Sequence, residues 1–119
     1  PLLDMGWNHK SPSCKFRPDP EAVRKEMQVW LDMVERAYAK KPLIYTVPDF
    51  YAENLAGHFK DYEFFLRAVA DQPSNVYPGR KWTFWQYSGT GSIPRSKGGA
   101  DMNVFNGTPA AWKAWLAKN

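Results

Sequence analysis

The sequence predicts an α/β domain in which a parallel or mixed sheet lies inside a layer of helices. Three observations carry that reading. Residues 19–42 space their apolar side chains at helical intervals. Short runs such as Leu43–Val47 and Lys81–Ser88 are rich in β-branched and aromatic residues, the composition of strands. And the strand-like runs at Pro1 and Leu43 are each followed by a helix-like segment, the order that builds α/β sheets.

Taken in order, Pro1–Met5 reads as a short buried strand ending beside a carboxylate, Asp4. Residues 6–18 mix Gly, Pro, Ser and Asn and read as a long loop. Asp19 is a good N-cap, Pro20 suits the first helical position, and Glu21 lies in the first turn. Val23, Met27, Trp30, Leu31, Val34, Ala37 and Tyr38 then form one apolar stripe. Lys40 and Lys41 stand where a helix dipole favours cations, and Pro42 ends the helix. Leu43–Val47 is the second strand, Pro48-Asp49 a turn, and Phe50–Leu55 a short helix. Tyr62–Val69 fits a buried strand or a short helical piece equally well by periodicity. Residues 71–81 read as loop. In Lys81–Ser88, Trp82, Phe84 and Gln86 point one way, while Thr83, Trp85 and Tyr87 point the other. Residues 89–100 form a Gly-rich loop, Met102–Phe105 a short strand and Asn106-Gly107 a turn. Thr108 and Pro109 open a last helix with Trp112, Trp115 and Leu116 on its apolar side.

The composition narrows the class. Apolar residues make up 44% and charged residues 24% of the chain, and the mean hydropathy is −0.58. These values exclude disorder, collagen and coiled coil. The chain has no apolar run near the ~18 residues of a membrane span, so no membrane partner is expected. One cysteine, Cys14, excludes an intrachain disulfide framework and a multi-cysteine zinc site. The length suits one domain, yet the chain opens at Pro1 inside an apolar run, as a piece of a longer domain would.

The net charge is +4. Residues 72–100 contain no Asp or Glu but hold Arg80, Lys81, Arg95 and Lys97 among Tyr77, Trp82, Phe84, Trp85 and Tyr87. Such a segment could meet nucleic acid, an anionic polysaccharide or a membrane surface. A plainer reading is a solvated basic loop beside a core strand. A nucleic-acid binder would lose affinity steeply with salt and accept single strands; a glycan binder would not.

Asp4 and Asp101 stand out as candidate catalytic carboxylates. Asp4 lies at the carboxyl end of a strand, the end that bears active sites in α/β barrels. Asp101 begins the last strand, after the Gly-rich loop. Either could instead cap a turn, as Asp49 does most simply after Pro48. His9 and His58 have no ligand spacing between them, so no metal is expected. Cys14 is a lone loop thiol, and Gly89-Thr90-Gly91 lacks the Lys-Ser/Thr of a phosphate-binding loop.

Four segments taken together resemble glycoside hydrolase family 25. They are Leu2-Leu3-Asp4-Met5 followed by Trp7-Asn8, then Leu43-Ile44-Tyr45-Thr46, then Trp82-Thr83-Phe84-Trp85-Gln86-Tyr87-Ser88, and Ala100-Asp101-Met102-Asn103. The resemblance runs in order along nearly the whole chain. It implies a modified, flattened (β/α) barrel, TIM-like, with its glycan groove at the carboxyl ends of the strands. It also favours the strand reading of Tyr62–Val69. A closed barrel of this kind takes about 200 residues or more. Residues 1–119 are therefore expected to be an incomplete catalytic domain, its C-terminal portion, with N-terminal strands missing.

The activity implied is that of a lysozyme, an N-acetylmuramidase that hydrolyses the β-1,4 bond between N-acetylmuramic acid and N-acetylglucosamine, without a cofactor. Asp4 matches the Asp of the family's Asp-x-Glu strand end, and Asp101 the active-site Asp of the last strand. In the family the Glu protonates the leaving oxygen, while the Asp orients or stabilises the substrate's acetamido group as it attacks the anomeric carbon, a substrate-assisted route. Tyr45, Trp85, Tyr87 and Asn103 are the expected substrate-binding residues. The Glu position, however, is Gly6, which can donate no proton. The chain is thus expected to be an impaired muramidase. A second reading is a non-catalytic peptidoglycan-binding module that keeps the groove. Both expect peptidoglycan strands as the partner, no nucleic acid, a monomer, and a secreted, cell-wall-associated or phage-encoded setting.

Overall fold

The computed structural model describes residues 1–6, 18–91 and 100–119, with the side chains of 88–91 and of Ala100 and Asp101 left aside. Its centre is a five-stranded sheet in the order β1-β2-β3-β4-β5. The strands are β1 (Leu2–Met5), β2 (Leu43–Thr46), β3 (Phe64–Arg67), β4 (Phe84–Gly91) and β5 (Ala100–Phe105). The first four run parallel and β5 returns antiparallel to β4. The sheet is thus mixed, and Tyr62–Val69 contains a strand. The bend from Gln86 to Gly91 is absorbed by two register shifts against β5.

One face of the sheet carries the core. Helix α1 (Pro20–Tyr38) starts as its residues dictate: the Asp19 carboxylate accepts from Glu21 N–H at 3.1 Å, with proline in the first turn. Its buried residues Val23, Met27 and Leu31 pack with Ile44, Phe64, Leu66 and Ala68 of the sheet region. The buried stripe is narrower than the spacing alone suggests. Trp30 is 55% and Tyr38 65% exposed, because they flank β1, beyond which no described strand follows. With Pro1, Leu2 and Leu3 they line a groove of about 190 Å³.

Pro48-Asp49 proves to be the first turn of a helix rather than a separate turn. Helix α2 (Pro48–Phe50) runs directly into a π-helical turn, Tyr51–Leu55. Proline at the first helical position needs no N–H partner, and Asp49 turns its carboxylate to Phe50 N–H at 2.8 Å. The loop expected over 71–81 holds a short helix, α3 (Pro73–Val76), which again opens on proline. Arg80 ties this region together. Its guanidinium donates to Tyr51 Oη and to the carbonyls of Leu55, His58 and Phe59, and sits 4.2 Å from the Phe64 ring centroid. It is therefore a structural cation, which removes one charge from the basic stretch that could have met a ligand. Arg95 and Lys97 lie outside the described residues, as do His9 and Cys14.

The opposite face is an aromatic ladder. Phe65 stacks on Phe84 at 5.3 Å, and Phe84 meets Phe105 at 5.6 Å. Helix α4 (Pro109–Lys118) closes the lower part of this face, where Trp112 and Trp115, stacked on each other, lie against Phe84 and Phe105. Glu63, just before β3, anchors α4 by accepting from Trp115 Nε1 at 2.7 Å and meeting Lys118 Nζ at 3.4 Å. Its carboxylate also accepts from Thr83 Oγ1 at 3.2 Å. These contacts lie at the amino ends of the parallel strands. They leave the carboxyl ends to other residues.

Candidate active site

The register across the sheet defines the site. Asp4, Tyr45, Phe65 and Phe84 are successive partners from β1 to β4. Partners in register share a face, so Asp4 stands on the aromatic-ladder side, at the carboxyl end of β1, and it is exposed. Tyr45, its neighbour on β2, is half-buried; its ring meets Phe65 edge-on at 5.4 Å, and its hydroxyl is bonded to Gln86 Oε1. Gln86 is 3% exposed and lies opposite Asn103, an exposed residue of β5. Asp4, Tyr45, Gln86 and Asn103 therefore share one face towards the carboxyl end of the sheet.

Gly6 follows β1, and by strand alternation its side-chain position is on the Asp4 side, about 6.5–7 Å further along. A Cβ at Gly6 would meet only Val47 Cγ2, at 3.7 Å, an ordinary contact. The backbone there does not demand glycine, since a Cβ is accommodated. Asp101 lies in β5, between Ala100 and Met102.

Two expected sugar contacts are placed on the other side. Trp85 is the register partner of Leu66, which in turn pairs with Thr46, both buried in the core layer. Its Nε1 donates to the Ala68 carbonyl at 2.8 Å. Tyr87 is 39% exposed and its ring contacts Trp85 at 5.9 Å. Trp82 departs from the expected alternation. It precedes β4, and its ring lies against Trp85 rather than alongside Phe84.

Gln86 was not among the residues singled out by chemistry, although the alternation of β4 already set its side. Arg67 was missed too, because the ambiguous reading of Tyr62–Val69 hid its position as the last residue of β3. One titratable group beneath the site is strongly perturbed. Burial above all, and then the neighbouring Tyr45, Asp49 and Tyr51, push the Tyr77 hydroxyl well above its ordinary value, with Arg67 opposing. Tyr77 is fully buried and donates to the Arg67 carbonyl, so it supports the end of β3 from below.

A cavity of about 700 Å³ opens between β1 and α1, lined by Leu3, Met5, Gly6, Val23, Met27, Trp30 and Phe50 among others. Among the described residues, no three His, Cys, Asp or Glu side chains come together as metal ligands. No helix among them is long and apolar enough to cross a membrane.

A mostly parallel sheet with helices on its core face and an acidic residue at a strand's carboxyl end is a barrel-related α/β architecture. Residues 1–96 match the family model "Glycosyl hydrolases family 25", and the chain belongs to that family. The uncharacterized protein YegX of Escherichia coli O157:H7 is 40% identical over 95 residues, covering 79% of this chain and 34% of YegX. A family 25 glycosyl hydrolase from Bacillus anthracis superposes with a TM-score of 0.75 at 30% identity, over 95% of this chain and 51% of that one. A muramidase from Acremonium alcalophilum shares the fold, with a TM-score of 0.74 at 21% identity, over 99% of this chain and 56% of its own. The chain thus spans about a third of YegX and half of the solved structures. The barrel-related fold expected from the sequence is the one observed.

Proposed function

We propose that this chain forms part of the active-site face of a peptidoglycan-hydrolysing muramidase. The observation that carries the reading is the exposed Asp4 on the same face as Tyr45 and Asn103, in a chain of family 25. In this reading Asp4 and Asp101 are the carboxylates flanking the bond between N-acetylmuramic acid and N-acetylglucosamine. Asp4 orients the acetamido group that attacks the anomeric carbon, so the glycosidic bond breaks as a C–O bond forms within the substrate. Tyr45 and Asn103 hold the sugar on the groove floor. Trp85 and Tyr87, which lie on the other side of the sheet, support the strand behind the groove and do not touch the sugar.

The leaving oxygen needs a proton, and Gly6 stands where the family's donor is expected. General acid catalysis contributes about 10²–10⁴-fold, so hydrolysis by this chain is severely reduced. Its action is on the cell wall, and it works as a monomer. The absence of a donor at Gly6 also favours a second reading, a module that grips peptidoglycan without cutting it. Incubation with purified sacculi separates the two. Slow release of muropeptides with reducing muramic ends, abolished by Asp4→Asn, supports the enzyme. Binding to sacculi with no new reducing ends supports the module. Neither binding nor release contradicts both.

A further inference from the structure

Arg67 is a cation on the groove face that no described carboxylate neutralises. It ends β3, is half-buried, and by alternation with Phe65 projects on the side of Asp4 and Tyr45. It pairs in register with Gln86. The ion pairs and side-chain hydrogen bonds among the described residues do not involve its guanidinium; only its carbonyl is used, by Tyr77. A half-buried arginine has lost part of its hydration and gains most from a planar anion that takes two of its N–H groups at once.

The position fits such an anion on the substrate. Continuing the register past Met5, Thr46 and Leu66 brings Gly6, Val47 and Arg67 to one level. Two strand spacings separate Gly6 from Arg67, about 9–10 Å. A sugar whose glycosidic bond lies over Asp4 and Gly6 therefore extends over Val47 towards Arg67. Peptidoglycan offers a carboxylate there that chitin lacks: that of the lactyl arm of muramic acid where the arm is free, or one on the stem peptide where the lactyl carboxyl is taken up in an amide.

We propose that Arg67 is a specificity-determining residue that binds the carboxylate borne on the lactyl arm of muramic acid and so selects peptidoglycan over uncharged N-acetylglucosamine polymers. This rests on the muramidase reading above. Arg67→Gln removes the charge and the fork; Arg67→Lys keeps only the charge.

The test is calorimetric binding of the full chain to three probes: chitotetraose, a GlcNAc-MurNAc oligosaccharide with free lactyl groups, and the same glycan bearing stem peptides. Arg67 predicts tighter binding of one or both carboxylate-bearing glycans than of chitotetraose. Arg67→Gln should weaken that binding by roughly ten- to a hundred-fold and leave chitotetraose unchanged. Arg67→Lys should fall between. Which glycan responds tells whether the carboxylate is the lactyl group itself or one on the peptide. Methyl esterification of the glycan should reproduce the loss with the unaltered protein, which keeps the test independent of any variant's folding. Equal binding of all three probes, or equal weakening of all three by Arg67→Gln, overturns the proposal while leaving the muramidase reading intact. Binding of none of them overturns both.

Discussion

At the residue scale, Tyr77 and Glu63 show how single polar groups hold the sheet, Tyr77 at the end of β3 and Glu63 by tying α4 to the aromatic face. Tyr77 is buried and its hydroxyl donates to the Arg67 carbonyl. Burial raises its pKa above the ordinary value of 10.0, so the folded chain favours the neutral phenol more than the unfolded chain does. That contribution to stability is complete below about pH 10 and is lost as the pH rises beyond it. Tyr77→Phe removes the dependence and one hydrogen bond worth about 1 kcal/mol. Thermal melts from pH 8 to 11 should show the unaltered protein losing stability at the alkaline end, with a flatter profile for Tyr77→Phe. Parallel profiles would contradict the assignment. Glu63 takes three donors, Thr83, Trp115 and Lys118. Neither residue was marked by the sequence, because the partners of Glu63 lie 20 to 55 positions away and only the folded sheet brings them together. Asp4 stood out in the sequence as a carboxylate at a strand's end, whereas Tyr45 and Asn103 were singled out only through the family resemblance.

At the scale of elements, prolines at first helical positions and the Asp19 and Thr108 caps located helices α1 and α4 from sequence alone. The same proline signal was present at Pro48 and Pro73 and was masked by the expectation of turns. The face of β4 was legible for Phe84, Gln86 and Trp85. It failed at Trp82, where the chain has not yet entered the strand. Arg80 was read as part of a basic surface because charge in a sequence carries no information about which carbonyls surround it. Its four oxygen partners and the Phe64 ring close the end of the π-helical turn. Arg80→Met keeps much of the apolar stem but removes the donor to Tyr51 Oη and to the His58 carbonyl, while the Leu55 and Phe59 carbonyls keep the His58 and Tyr62 N–H groups. It should cost about 2–3 kcal/mol and raise hydrogen exchange over residues 51–59. A change within about 0.5 kcal/mol would show that water replaces the guanidinium. For α4, Trp115→Ala removes both the Glu63 bond and the packing on Phe84 and Phe105. A loss of about 3 kcal/mol or more, with faster proteolysis of residues 109–118, is expected; resistance equal to that of the unaltered chain would contradict the docking.

At the scale of the whole molecule, a family 25 chain carries glycine at position 6, where we propose that the proton donor is missing. The chain belongs to family 25, it superposes on about half of a solved family member, and the face that carries Asp4 also carries Tyr45, Gln86 and Asn103. The most direct measurement concerns Gly6, where a Cβ is accommodated beside Val47. Placed in a family 25 domain of full length, this chain should release reducing muramic ends from sacculi at a barely measurable rate. Gly6→Glu should raise that rate by about 10²–10⁴-fold without altering thermal stability, with the gain lost when Asp4→Asn is added. A Gly6→Glu domain that folds, binds sacculi and gains no hydrolysis would contradict the claim that this position carries the missing acid.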